Sequence, residues 1–174
     1  GDLIRIAKDM MTHKNPLTGL RWADDPAIIC INLINEATLP TILPRATPRC
    51  REIVDRAFGS YLAERGIADT PQNRAEHNSA FLEHAGLDFY NHMKRELRAV
   101  GVRIPLSDQN YEPTAGLTRH YYDYVDMHFY WNHPTAIAKN ADELPVNVGN
   151  TSALAASGGP LRWVFPSAVH GKPM

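Results

Sequence analysis

Apolar residues recur every three or four positions in three stretches of the chain, which predicts three amphipathic helices. The first covers residues 2–11. The second starts after Thr47 and Pro48, a favourable N-cap and first-turn pair, and ends at Gly66. The third and longest runs over about 73–100. Helices therefore occupy much of the first hundred residues.

Three further segments, 27–34, 102–106 and 124–130, are short and rich in branched or aromatic residues, which predicts β-strands. The first is an apolar run without alternation, typical of a parallel strand covered on both faces. Because helices separate the strands, we expect parallel βαβ units and an α/β fold. A complete (β/α)8 TIM barrel needs ~250 residues. We therefore expect residues 1–174 to form one partial barrel domain, with a loop or insertion at about 135–160.

The charge balance narrows the class of partner. The 18 basic and 19 acidic residues are mixed along the chain and give a net charge of -1. Neither a nucleic acid nor an anionic membrane surface is indicated, and no apolar run approaches the ~20 residues that a membrane helix needs. The motifs of serine hydrolases, phosphate-binding loops and dinucleotide enzymes are absent from the sequence. A neutral substrate fits best.

One carboxylate stands out by its position. Glu36 follows the first apolar strand directly, after Asn35. In parallel sheets the carboxyl ends of the strands are where active sites are built. Glu36 is therefore a candidate catalytic residue, although an Asn-Glu pair at a strand end is also compatible with a helix cap or a solvated loop charge.

The end of the third strand supplies a second set of polar side chains. Strand alternation places Asp126, His128 and Tyr130 on one face, which would point into the barrel. Buried polar groups need partners, so the set indicates either a site or a satisfied structural network. A metal site that also uses His133 is a weaker alternative, since no HxH or HExxH motif is present. We expect neither a metal nor another cofactor.

Two residues beyond the strand ends are candidate substrate contacts. Trp131 directly follows the third strand and is placed where sugar-stacking aromatic residues often lie, although simple packing at the rim explains it equally well. Asn110 belongs to a polar loop after the second strand.

These residues resemble a known group of enzymes. Residues 15–27, leading into the run Ile-Asn-Leu-Ile-Asn-Glu at 31–36, resemble the fourth-strand region of clan A glycoside hydrolases, and family-5-like cellulases and mannanases are the nearest relatives. Residues 101–106 are similar to the entry to strand five, and 124–134 to strand six. Residues 171–174 look like the approach to strand seven. The chain would then run from helix three to that approach.

The resemblance implies a reaction and roles for particular residues. Glu36 would be the general acid/base of a retaining glycosidase, Asn35 would hold the sugar 2-hydroxyl, and His128 and Tyr130 would line the site. The nucleophilic Glu of strand seven is expected beyond Met174, because the last glutamate in the sequence is Glu143. We therefore expect the parent enzyme to hydrolyse a β-linked oligo- or polysaccharide and the 174-residue chain to be inactive alone.

Two alternatives remain open for the function. One is a barrel that binds carbohydrate without catalysis. The other is a metal-dependent barrel hydrolase that uses Asp126, His128 and His133. A secreted or cell-envelope location is plausible for a polymer-degrading enzyme by association only, and the sequence leaves the oligomeric state open.

Overall fold

The computed structural model describes residues 1–36, 39–108, 118–128, 152 and 168–174. In these residues the chain is mixed helix and strand, with two short parallel strands. The α-helices and β-strands are, in chain order, α1 (Asp2–Thr12), β1 (Ile31–Asn32), α2 (Leu39–Ile42), α3 (Pro48–Ala63), α4 (Pro71–Ala99) and β2 (Leu106–Ser107). Short 3-10 turns lie at Trp22–Asp24, Leu43–Arg45 and Thr118–Tyr121.

The three predicted helices are confirmed as α1, α3 and α4. Thr47 caps α3 as expected, since its hydroxyl accepts a hydrogen bond from the Cys50 amide at 3.3 Å. Thr70 caps α4 in the same way, accepting from the Asn73 amide at 3.2 Å. Each cap is followed by a proline at the first helical position, where the missing N–H costs nothing.

Helix α4 links two apolar clusters. Its N-terminal half packs on α3 around Phe81, whose ring stacks on Phe58 at a centroid distance of 4.3 Å. Its C-terminal half packs against α1 and β2, where Tyr90 is 1% exposed and donates a hydrogen bond to the Leu106 carbonyl at 3.2 Å. This second cluster also fixes the position of the sheet. Its buried members are Met11, Ala23, Tyr90, Leu97, Val102, Leu106 and Tyr122.

The sheet places its neighbours in chain order. β1 and β2 are parallel, with Ile31 opposite Leu106. On the other side of β2, the Asp123 amide donates to the Leu106 carbonyl at 3.0 Å. The Val125 amide then donates to the Pro173 carbonyl at 2.9 Å. Segments 31–33, 105–107, 123–125 and 173 therefore lie beside one another in the order of the sequence.

The strands are shorter than the sequence predicts. Of the predicted strand at 27–34 only Ile31–Asn32 is formed, and it is half-buried rather than covered on both faces. Ile29, before it, is 77% exposed. The short length of β1 has a reason in its pairing. Among the described residues, β1 pairs with one strand, β2.

The predicted third strand, 124–130, is not formed as a regular strand in its described part, residues 124–128. The Leu106 amide on the neighbouring strand donates to the side chain of Asp123 at 3.0 Å. The Asp123 side chain thus accepts the hydrogen bond that the backbone of a paired strand would otherwise accept from Leu106. Residues 129 and 130, like the expected insertion at 135–160, lie outside the described residues apart from Ser152.

The arrangement agrees with the α/β class, but the described residues show two paired strands rather than a closed barrel. None of the described helices combines the length and the apolar character needed to cross a membrane.

Candidate active site

Glu36 lies just beyond β1 in an unusual backbone conformation. Its φ angle is +50°, in the left-handed region, and it is the non-glycine residue with positive φ among those described. For a residue other than glycine, asparagine or aspartate, such a conformation costs of order 1–3 kcal/mol, and strained residues of this kind cluster at functional sites. The position thus carries strain that the sequence did not predict.

His128 holds the carboxylate of Glu36 from a different segment. The His128 Nδ1 atom lies 2.9 Å from Glu36 Oε1, a hydrogen-bonding distance between residues 92 positions apart. Both side chains are about one third exposed, His128 at 33% and Glu36 at 34%. Two predicted site residues are therefore brought together, and solvent or a ligand can still reach them.

Asp126 and Asn32 extend this contact. Asp126 Oδ2 accepts a hydrogen bond from Asn32 Nδ2 at 2.6 Å. The same oxygen lies 3.9 Å from His128 Nε2, on the other side of the imidazole ring. Asn32 was not a candidate in the sequence. The sequence feature that could have identified Asn32 is its polar amide side chain in the middle of an apolar predicted strand, between Ile31 and Leu33.

Tyr124 lies close to this group. The pKa of Tyr124 is raised, chiefly by burial. Contacts with Cys30 and the negative charge of Asp126 raise it further. The phenol therefore keeps its proton at neutral pH, and it can donate a hydrogen bond.

The other predicted site residues divide into two groups. Asn35 is exposed next to Glu36. Asn110, Tyr130, Trp131 and His133 lie outside the described residues. In the part of the chain that the structure describes, no cluster of three or more His, Cys, Asp or Glu side chains is arranged to hold a metal ion.

Several polar residues at the end of β2 and in the segment at 118–119 are buried. The sequence did not predict this, because residues 107–110 were expected to form a polar loop. Ser107 is 0% exposed and Asp108 is 3% exposed. Thr118 and Arg119, both 3% exposed, are buried as well. Burial also raises the pKa of Tyr122, whose ring belongs to the core nearby. Such buried polar groups are a property of the tertiary fold, which local sequence does not encode.

One groove among the described residues is lined by a different part of the chain. It has a volume of about 620 Å³ and is formed by α2, the turn after it and the start of α3. None of the predicted site residues lines it. Its apolar lining comes from Leu39, Ile42, Leu43, Ala46, Cys50, Ile53 and Val54.

Comparison with known proteins assigns no family: no family model, curated protein or solved structure matches the chain.

Proposed function

We propose that the chain carries the general acid/base half of a retaining glycoside hydrolase site, in a clan A, family-5-like barrel that acts on a β-linked oligo- or polysaccharide. The observation that supports this most is the contact between Glu36 and His128, in which a carboxylate at the end of a strand is held by an imidazole from a distant segment. The sequence resemblance supports the same residues in the same order.

The local geometry suits the acid/base role. A carboxyl group that first donates a proton to the leaving oxygen and then takes one from water must be reachable. Glu36 is partly exposed, and the His128 ring lies within hydrogen-bonding distance of its carboxylate. Asn35 is exposed beside it, where it would contact the sugar 2-hydroxyl.

A retaining mechanism requires a second carboxylate about 5 to 5.5 Å from the first, which attacks the anomeric carbon. In this proposal the nucleophile is the strand-seven Glu, supplied by sequence that follows Met174. Tyr130, Trp131 and Asn110 would contribute further substrate contacts. The 174-residue chain alone would then be inactive.

The decisive experiment is Glu36→Gln in protein that extends through the strand after Met174. General acid catalysis contributes ~10² to 10⁴-fold, so turnover of β-glycosides with poor leaving groups should fall by about that factor. Aryl β-glycosides whose leaving group needs no proton should be cleaved at the first step with little loss. Glu52→Gln, on the exposed face of α3, is the matched control and should leave both rates unchanged.

Other outcomes would identify the alternatives. Unchanged turnover in Glu36→Gln would remove Glu36 from the acid role. Saccharide binding without turnover in the extended protein would favour the non-catalytic carbohydrate-binding barrel. Loss of turnover on chelation would favour the metal-dependent hydrolase that uses Asp126, His128 and His133. Turnover of aryl β-glycosides by the 174-residue chain itself would contradict the predicted need for a second carboxylate beyond Met174.

A further inference from the structure

The groove between α2 and the start of α3 exposes apolar side chains on both of its walls. Ile42 on one wall is 47% exposed, and Ile53 on the other is 49% exposed. None of the residues that line the groove is buried, so a ligand can reach all of them. Its volume of about 620 Å³ lies in the range of small-molecule sites, ~300–1,000 Å³. Concave apolar surface that is left exposed in this way is typical of a binding site.

Prolines restrain the backbone around the groove. Pro40 lies in α2, Pro44 in the turn that follows and Pro48 at the first position of α3. Proline fixes the φ angle of its own residue and restricts the residue before it. The walls are therefore largely ordered before a ligand arrives, and binding loses less conformational entropy than it would in a flexible segment.

The charge at the groove is positive. Arg45 is the charged residue in the lining, and no acidic side chain is among the described lining residues. Arg51 lies at the rim, because its Nε atom donates to the carbonyl of the lining residue Ala46 at 2.9 Å. In the part of the chain that the structure describes, neither guanidinium forms an ion pair. The complementary ligand is therefore apolar along most of its length and carries a negative charge at one end.

The sparse polar lining distinguishes an acyl chain from a peptide. A peptide brings one N–H and one C=O group per residue, and these groups need partners when they leave water. The polar side chains of the lining are Thr41, Arg45 and Thr47, and the Thr47 hydroxyl already accepts from the Cys50 amide at 3.3 Å. An acyl chain brings no such groups into the groove.

We propose that this groove binds a free long-chain fatty acid as its carboxylate. The acyl chain lies between Ile42 and Ile53, and the carboxylate pairs with the guanidinium groups of Arg45 and Arg51. None of the residues proposed for catalysis lines the groove, so this inference is independent of the glycosidase proposal.

The first test is calorimetric titration of the 174-residue chain with octanoate, decanoate and dodecanoate, each below its micelle concentration and near neutral pH. We expect one ligand per chain. A fully buried CH₂ group contributes about fourfold in affinity, so in an open groove each added CH₂ should raise the affinity by about two- to fourfold. Dodecyltrimethylammonium has a tail of the same length and a cationic head, and it should bind at least about tenfold more weakly than dodecanoate.

The two arginines are tested together. Arg45→Gln/Arg51→Gln should weaken dodecanoate by about three- to tenfold, because an exposed ion pair contributes up to about fivefold. Arg5→Gln/Arg95→Gln makes the same change of net charge at exposed positions of α1 and α4, and it should leave the affinity unchanged.

The apolar wall has an equally close control. Ile53→Glu places a like charge against the ligand and removes apolar contact, so dodecanoate should bind at least about tenfold more weakly. Ile6→Glu changes an isoleucine of similar exposure, 47%, on α1 and should have no effect on binding.

The two cysteines provide a second readout that locates the ligand. Both are free and exposed, but only Cys50 lines the groove. Dodecanoate at ten times its dissociation constant should slow the alkylation of Cys50 by iodoacetamide by about tenfold and leave Cys30 unaffected.

Several results would overturn the proposal. One is the absence of saturable dodecanoate binding, and another is binding that weakens no more in the groove variants than in their controls. Equal protection of both cysteines would indicate non-specific surfactant binding. A wild-type dimer that Ile53→Glu dissociates, without dodecanoate binding, would show that a second copy of the chain occupies the groove. If Ile53→Glu does not fold, the arginine variants and the cysteine protection still decide the question.

Discussion

Asp123 lies beside β2 and Glu36 just beyond β1, and these two carboxylates differ although their exposures are similar. The Asp123 side chain is 27% exposed and that of Glu36 is 34% exposed. Asp123 accepts from Lys94 at 2.6 Å, from Arg98 at 3.0 Å and from the Leu106 amide at 3.0 Å. Glu36 faces His128, and its backbone has a positive φ angle.

Under the proposed function, this difference distinguishes a structural carboxylate from a catalytic one. Asp123 is held by two permanent cations and a backbone N–H, so its charge is fixed over the physiological range of pH. Glu36 instead contacts His128, which is not a permanent cation. A carboxylate with strong fixed partners stabilises the fold, whereas one that faces a titratable partner on strained backbone can carry out proton transfer.

The largest effect is expected when the structural carboxylate, Asp123, loses its charge. Asp123→Asn leaves Lys94 and Arg98 close together without their anion, and hydrogen bonds to charged groups are each worth ~1.5–3 kcal/mol. We expect the free energy of unfolding in urea to fall by ~2–3 kcal/mol at pH 7. Asp88→Asn, at an exposed position, should change it by less than about 0.5 kcal/mol. An equal loss in both variants would contradict the assignment.

A smaller effect should appear on acidification. Burial by itself raises the pKa of Asp123, but the Lys94 ammonium, the Leu106 amide and the Arg98 guanidinium outweigh it and hold the pKa below its ordinary value of 3.8. A carboxyl group whose pKa is lower in the folded state stabilises the fold above pH 3.8 and loses that contribution as the pH falls through its folded pKa.

The free energy of unfolding of the wild type should therefore approach that of Asp123→Asn as the pH decreases below 3.8. Urea titrations at a series of pH values measure this gap. A gap that stayed constant down to pH ~2 would show that the charge of Asp123 does not contribute.

The smallest effect concerns the site itself. Glu36→Gly removes the cost of a left-handed conformation, ~1–2 kcal/mol, against an entropic cost of ~0.5–1 kcal/mol for glycine in the unfolded chain. We expect the free energy of unfolding to rise by ~0.5 kcal/mol, measured by urea denaturation. Glu36→Gln keeps the side-chain volume and the strain, and should not show this gain. A clear loss of stability in Glu36→Gly would place Glu36 among the structural residues with Asp123.

The helices could be predicted from sequence because their signals are local. The stripes of α1, α3 and α4 repeat along the chain, and Thr47 and Pro48 mark the start of α3 within four residues. Glu36 and His128 were identified as site residues from their strand-end positions and the family resemblance. Their contact is present in the structure, while the catalytic role assigned to Glu36 stays a prediction.

The parts that sequence could not predict depend on distant residues. Asp123 is 29 positions from Lys94 and 17 from Leu106, and only the packing of α4 against β2 brings these groups together. The extent of β1 was overestimated because branched apolar residues favour strands whether or not a second neighbour is there to pair with them. The backbone of Glu36 was unpredictable for a similar reason, since glutamate has no preference for positive φ.

The order of the sheet has a consequence for how the molecule is made. Segments 31–33, 105–107, 123–125 and 173 lie beside one another in the order in which they are synthesised. Domains generally begin to fold during synthesis, N-terminal part first. Each segment leaving the ribosome can therefore dock on the edge formed by its predecessor, and no completed pairing has to open to admit a later one.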